Sequence, residues 1–156
     1  MQKRRIISVS VINEHGVLSR ISGLFAGRGY NIESLTVAPI PETELSKVTI
    51  VTNGDERVLE QIVKQLHKLI PVLSVTENDD FLEKEMAMVK ISIEEDIASI
   101  EALCRAYNGH VVNANEKYII VAVTDKPYRI DSFLKAIKRF SPKEMVRSGV
   151  VALERY

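Results

Sequence analysis

The chain has 156 residues, 46% of them apolar, and its 21 lysines and arginines balance its 21 aspartates and glutamates. This length and apolar content can fill the core of one ordinary domain or of two small ones. Sequence-independent binding of nucleic acid depends on neutralising phosphates, so a chain without a positive excess is a poor candidate for it.

Cysteine content and hydropathy indicate the cellular environment. The single cysteine, Cys104, excludes an intrachain disulfide and is typical of a reducing compartment. Charged residues interrupt every hydrophobic stretch, so the sequence contains neither a signal-peptide core nor a segment that could span a bilayer. We therefore expect a soluble, cytoplasmic protein that associates with no membrane.

The first half of the sequence predicts six elements in the order β-α-β-β-α-β. Their apolar and β-branched content predicts strands over residues 5–12, 31–38, 47–52 and 72–76. Apolar residues at helical spacing predict two helices, with the stripes Leu18, Ile21, Leu24 and Phe25 in the first and Leu59, Ile62, Leu66 and Leu69 in the second.

Turn and capping residues separate these six elements. Gly27 and Gly29 end the first helix. Asp55 is the expected N-cap of the second helix, which Pro71 stops. The prolines of the loop at residues 39–44 are expected to break strand pairing there.

The second half repeats the order with little sequence similarity. Strands are predicted over residues 86–93, 111–113, 118–123 and 146–153. One helix is predicted from the stripe Ile97, Ile100, Leu103, Cys104 and Tyr107, and another from Ile130, Phe133, Leu134 and Ile137.

An acidic stretch without clear periodicity, residues 77–85, joins the two halves and is interpreted as a linker. Each half predicts two helices on one face of an antiparallel sheet. The expected fold class is therefore α+β, with two ferredoxin-like domains at residues 1–79 and 80–156.

The most informative motif follows the first strand, where Asn13 is separated by two residues from Gly16, Val17 and Leu18. A strand that ends in a polar turn and opens a helix leaves free backbone N–H groups, which suit a small carboxylate. Glycine lets a ligand approach the backbone and lets φ be positive. The motif favours a site for a small acidic or zwitterionic metabolite, although this spacing alone is more often an ordinary capped turn.

The same motif resembles the ligand loop of ACT domains, the amino-acid-sensing modules attached to many biosynthetic enzymes. The runs GYNIESLTVAP at residues 29–39 and LEQIVKQLHKL at 59–69 resemble, more specifically, the small regulatory subunit of acetohydroxyacid synthase, also called acetolactate synthase. The run RSGVV at 147–151 is similar to that family's closing strand. The resemblance covers almost the whole chain, and over residues 93–108 it is one of pattern only.

The resemblance implies a non-catalytic, regulatory subunit in branched-chain amino-acid synthesis. Such a subunit activates a large catalytic subunit, acetolactate synthase proper, and confers feedback inhibition by valine. Thiamine diphosphate, FAD and Mg²⁺ are expected in that partner, and no cofactor is expected in this chain. The absence of a Rossmann-type or P-loop glycine motif agrees with this expectation.

The resemblance also implies which residues bind valine. The amides of Gly16, Val17 and Leu18 would hold the carboxylate at the positive end of a helix, and the Asn13 and Asn31 amides would bond to the ligand. In the family the site lies between two ACT domains, which makes a homodimer the competent state. The residues then expected from the facing subunit are Asn31, Thr36, Ala38 and Gln61.

Three other functions occur on this topology or with this turn motif, and the sequence lacks the residues that two of them need. The first is a stand-alone ACT-type regulator of another biosynthetic enzyme. An acylphosphatase-type enzyme of the same topology would need an arginine in the first loop, where Glu14 and His15 stand. An RNA-binding module would need aromatic residues on its central strands, and residues 46–52 contain none.

The other reactive side chains predict no chemistry of their own. His15, His67 and His110 lack the spacing of metal ligands, so we expect no metal site. Cys104 lies on an apolar helix stripe and is interpreted as a small core residue, not as a nucleophile. No catalytic residue is predicted.

Overall fold

The computed structural model describes residues 3–156. The chain forms two compact units, of which the first comprises the residues up to 82 together with 152–156, and the second comprises residues 83–151.

The first unit contains a four-stranded antiparallel sheet and two helices. Its elements are β1 (Lys3–Ile12), α1 (Val17–Ala26), β2 (Ile32–Pro39), β3 (Leu45–Gly54), α2 (Glu56–Lys68) and β4 (Val72–Glu77). The strands lie in the order β2-β3-β1-β4. The predicted β-α-β-β-α-β order is confirmed, and so is the N-cap of α2, where the Asp55 side chain accepts a hydrogen bond from the Arg57 amide.

The core of the first unit lies between this sheet and its two helices. Alternate residues of β1, Ile7, Val9 and Val11, are buried in the same cluster as Phe25 of α1 and Ile62 of α2. This burial follows from the two periodicities of the sequence, because a period of two places one face of a strand against the stripe that a period of 3.6 places on each helix.

The second unit repeats the arrangement. Its elements are β5 (Phe81–Ser92), α3 (Ile97–Ala106), β6 (Gly109–Ala114), β7 (Tyr118–Asp125), α4 (Pro127–Ile137), a short 3₁₀ helix (Lys138–Phe140) and β8 (Glu144–Glu154). The first two residues of β5 and the last three of β8 fall within the bounds given above for the first unit. The strands lie in the order β6-β7-β5-β8. The fold class is confirmed as α+β with two ferredoxin-like sheets.

The predicted linker is wrong over its second half. Strand β5 already begins at Phe81, which leaves only residues 78–80 as a connection. The sequence did not predict the start of this strand because a buried carboxylate interrupts its apolar alternation. Glu85 is buried and accepts a hydrogen bond from Arg147 of β8. The predicted domain boundary between residues 79 and 80 falls inside the short connection and stays a prediction.

The expected effect of the loop prolines is also partly wrong. Pro39 pairs with Ser46 as the last residue of β2, so the ladder continues to the proline. β2 is an edge strand, and an edge strand can include a residue that donates no hydrogen bond on its outer side.

The carboxylate of Asp125 ties three parts of the second unit together. It lies at the end of β7 and accepts hydrogen bonds from Asn108 Nδ2 at 3.0 Å, the Lys126 amide at 2.8 Å and Arg129 Nε at 2.6 Å. Burial by itself raises the Asp125 pKa, but these bonds and the nearby Arg129 and Lys84 charges outweigh it and hold the pKa below its usual value. The ionised form is therefore the one that stabilises the fold.

We predict that Asp125→Asn lowers the free energy of unfolding at neutral pH by about 1–3 kcal/mol, since charge-assisted bonds are lost. Because the pKa of Asp125 is lower in the folded chain, its carboxylate stabilises the fold fully at pH values above the aspartate pKa of the unfolded chain, about 3.9. This stabilisation is lost as the pH falls through the pKa of Asp125 in the folded chain. The difference in free energy of unfolding between the unmodified chain and Asp125→Asn should therefore shrink over that acidic range, as measured by urea unfolding.

The matched control is Glu116→Gln, which also replaces a carboxylate by an amide, but on an exposed turn. It should alter the free energy of unfolding by less than about 0.5 kcal/mol. A difference for Asp125→Asn that stays constant or grows toward acidic pH would contradict the assigned role.

Candidate functional site

The turn after β1 has the geometry that the sequence motif predicts. The Asn13 amide donates to the Glu44 carbonyl at 3.1 Å, and the Glu14 amide donates to the Ile12 carbonyl at 2.9 Å. Gly16 has φ +80° and ψ −2°, a left-handed conformation that glycine adopts at low cost. The chain therefore reverses at Gly16 into α1, with residues 13–16 exposed.

The N-terminus of α1 has no side-chain cap. Gly16 supplies no capping oxygen, and the first turn contains no acidic residue. By contrast, the N-terminus of α2 is capped by Asp55 and followed by Glu56. Because the first amides of a helix have no intrahelical partner, those of Val17 and Leu18 are left for solvent or for an anionic ligand.

Asn31 of the same chain lies at the other end of the sheet. Ile32 pairs with Thr52, which pairs with Arg5 near the start of β1, whereas Gly16 comes after Ile12 at the end of β1. Seven residues of strand separate the two levels, about 23 Å at roughly 3.3 Å per residue. One chain does not bring Asn31 and Gly16 to the same ligand.

The remaining predicted residues are distributed between these two ends. Thr36 is level with Thr49 in the middle of β2, and Ala38, which pairs with Lys47, lies nearer the Gly16 end. Gln61 is exposed on α2. The Thr36 hydroxyl oxygen is buried and has no hydrogen-bond partner within residues 3–156, which is uncommon for a buried polar atom.

Three residues that surround Asn31 were not predicted from the sequence. Thr52 donates its hydroxyl to the Asn31 carbonyl at 2.9 Å, and the Tyr30 hydroxyl donates to the Asp55 carbonyl at 2.6 Å. Gly54 leaves room for the Tyr30 ring. A polar residue in an apolar strand and a glycine at its end were the available signals for Thr52 and Gly54.

The interpretation of Cys104 is confirmed. Its side chain is fully buried in the core of the second unit. Burial, and after it the charge of Glu101, raise the pKa of the Cys104 thiol to about 11. The thiol is therefore protonated at physiological pH, and a protonated thiol is a poor nucleophile.

Residues 3–156 contain neither a metal-ligand cluster nor a membrane-spanning helix. No group of three or more His, Cys, Asp or Glu side chains could hold a metal ion. No helix in this range is long and apolar enough to cross a membrane.

A cavity of about 210 Å³ lies in the second unit. It is lined by Met86, Met88, Val146, Arg147 and Ser148. Its one cation, Arg147, already donates to Glu85 and Asp131, so the cavity presents mainly apolar side chains.

Comparison with known proteins defines the class of the first unit. Residues 7–74 match a family model described as an AHAS small subunit-like ACT domain. With the strand order and the glycine turn above, this identifies an ACT domain. Residues 84–156 match a second model, described as the small subunit of acetolactate synthase.

Full-length relatives define the family. The chain is 44% identical to the small subunit of acetolactate synthase isozyme 3 of Escherichia coli, covering 97% of this chain and 96% of that protein. It is 36% identical to a probable small subunit from Archaeoglobus fulgidus, covering 97% of each. The crystal structure of the small subunit from Thermotoga maritima superimposes with a TM-score of 0.90 at 32% identity, covering 99% of this chain and 98% of that one. The chain belongs to the family of acetolactate synthase small subunits.

The positive φ of Gly16 yields a stability prediction. Gly16→Ala should lower the free energy of unfolding by about 1–2 kcal/mol, because a side chain is strained in the left-handed region. The matched control is Gly23→Ala within α1, where a Cβ has open space and alanine favours the helix, so that stability should be unchanged or rise. Thermal unfolding of the unmodified chain and the two variants measures both effects. Equal changes in stability for Gly16→Ala and Gly23→Ala would contradict the predicted backbone strain at Gly16.

Proposed function

We propose that this chain is a regulatory subunit that activates an acetolactate synthase catalytic subunit and confers feedback inhibition by L-valine. The observation that carries the proposal is family membership over nearly the full length. Two family models that together span residues 7–74 and 84–156 support this function over that of a stand-alone ACT regulator. We place thiamine diphosphate, FAD and Mg²⁺ in the catalytic subunit, and the complex in the cytoplasm.

The carboxylate of valine binds at the N-terminus of α1 in this proposal. The amides of Gly16, Val17 and Leu18 donate to it, aided by the partial positive charge of the helix end. The lack of a capping side chain and of an acidic residue in the first turn supports this assignment, because either would compete with the ligand. Asn13, in the exposed turn, bonds to the ligand from the strand side.

The ammonium group is bound by Asn31 of a second copy of the chain. The separation of about 23 Å between Asn31 and Gly16 along one sheet is several times the length of valine, so one chain cannot supply both contacts. A homodimer resolves this by placing the β2 face of one ACT domain opposite the turn of the other. To the same subunit contact we also assign Thr36 and the exposed Ala38 of β2, and the exposed Gln61 of α2.

The proposal is tested by reconstitution. The purified chain is mixed with the acetolactate synthase large subunit of its own source, and acetolactate formation is measured with and without valine. The unmodified chain should raise the activity of the large subunit, and valine should then lower it. Absence of activation in a verified complex would overturn the regulatory role.

Gly16→Asp in the same assay should abolish valine inhibition and leave activation largely intact. The new carboxylate would lie against the carboxylate of the ligand, so that repulsion and lost space remove the anion site. Gly16→Ala is the matched control, since it introduces the same backbone strain without the charge, and it should keep a valine response. Inhibition of Gly16→Asp at the valine concentration that inhibits the unmodified chain would show that the site is assigned wrongly.

Mixed dimers test the shared site. A dimer of one Gly16→Asp chain and one Asn31→Ala chain has one site in which both residues are intact, whereas each variant alone has none. Co-expression with two different affinity tags, followed by purification on both, should yield dimers that recover about half of the valine binding in calorimetry. Verified mixed dimers that bind no valine would show that the two residues do not meet across a subunit contact.

A further inference from the structure

The entry into β2 is built around a buried threonine. Thr52 of β3 is fully buried, and its hydroxyl donates to the Asn31 carbonyl at 2.9 Å. In the sheet it pairs with Ile32 on one side and with Arg5 on the other, so both of its neighbouring strands fix its position. A hydroxyl on such a rigid element fixes the atom that it bonds to.

Tyr30 holds the chain immediately before Asn31. Its amide donates to the Phe25 carbonyl at 2.9 Å, closing the C-terminal turn of α1 after Gly29, whose φ is +69°. Its ring lies against Gly54, where a Cβ would come closer than 3.0 Å to the ring, and its hydroxyl donates to the Asp55 carbonyl at 2.6 Å. The tyrosine is thus held at both its backbone and its side chain.

A bulge fixes the chain immediately after Asn31. Ile32 pairs with Thr52 and Ser34 pairs with Val51, which leaves Glu33 as an extra residue in β2. The Glu33 carboxylate accepts a hydrogen bond from the Asn53 side chain of β3. The bulge changes the strand's alternation directly beside Asn31.

Asn31 differs from the residues around it. Its backbone is held from both sides, but its side chain is exposed and makes no hydrogen bond within residues 3–156. The contacts thus fix the backbone of a residue whose side chain bonds to none of the residues that the structure describes. A ligand that bonds to a group fixed in advance loses less conformational entropy on binding.

We propose that Thr52 is a positioning residue, together with Tyr30, whose ring packs on Gly54. By fixing the Asn31 backbone, the two residues orient the Asn31 side-chain amide toward the ammonium group of the amino-acid effector. The inference rests on the proposed function, in which Asn31 binds that group. It assigns a role in affinity to residues that do not touch the ligand.

The test is a double-mutant cycle on the full-length chain with L-valine as the probe. Thr52→Val removes the hydroxyl and keeps the shape, and it should weaken valine binding about three- to tenfold in calorimetry, the value of one typical hydrogen bond. Thr76→Val is the matched control, with the same change on β4 of the same sheet, and it should leave the affinity within about twofold. Tyr30→Phe should weaken binding in the same direction as Thr52→Val.

The second arm of the cycle separates positioning from general stability. In an Asn31→Ala chain, Thr52→Val should cause no further loss of valine affinity, because the group that it positions is absent. Ligand-detected NMR, which follows weak binding, measures these two proteins. Amide hydrogen exchange at residues 30–33 should be faster in Thr52→Val than in Thr76→Val without any ligand.

The outcomes are distinguishable. An equal loss of affinity from Thr52→Val with and without Asn31 would show a merely structural role and overturn the inference. A loss from Asn31→Ala without any loss from Thr52→Val would overturn the inference and leave the proposed function standing. Unchanged valine affinity in Asn31→Ala would overturn both the role of Asn31 and its positioning by Thr52.

Discussion

The antiparallel pairing of β1 with β3 is the constraint on which the arrangement of the first unit depends. The two strands pair without interruption from Lys3 with Gly54 to Ile12 with Leu45. Because each residue of β1 has a fixed partner, the turn that follows Ile12 and the residues around Gly54 lie at opposite ends of the sheet. A shift of one residue would turn every side chain of β1 to the other face and place Ser8 and Ser10 against the helices.

Helix α1 connects these two ends, and glycine defines both of its termini. Gly16 begins the helix without a capping oxygen, which costs only a few tenths of a kcal/mol relative to a good cap. Gly29 ends it in a left-handed turn that leads to Tyr30. The small cost at Gly16 explains how a helix can keep its first amides available without a marked loss of stability.

Element order and core followed from the sequence because they depend on local periodicity. The buried stripes of α1 and α2 and the alternation in β1 could be predicted from apolar spacing alone. The start of β5 could not, because Glu85 faces inward and only Arg147, more than 60 residues later, neutralises it. The bulge at Glu33 was missed for a related reason, since it depends on how β2 aligns with β3 and not on β2 itself.

The sequence predicts only part of the geometry of the candidate site, for the same physical reason. The Gly16 turn is local, so its conformation followed from the motif. The supports of Asn31 come from β3 and from Asp55, the N-cap of α2, which are distant in sequence, and the partner proposed for its side chain is a ligand. Residues that act through another residue leave a weaker pattern in a sequence than residues that act directly.

The burial of Cys104 has a practical consequence for spectroscopy. The folded chain contains one thiol, that of Cys104, which is buried in the core and protonated at neutral pH. Reagents that react with thiolates should therefore leave it unmodified. A cysteine introduced at an exposed position could therefore carry a fluorophore or a spin label on its own, with no need to replace the native residue. The distance between the two copies of such a label in a dimer would then be measurable on a chain whose own core is unaltered.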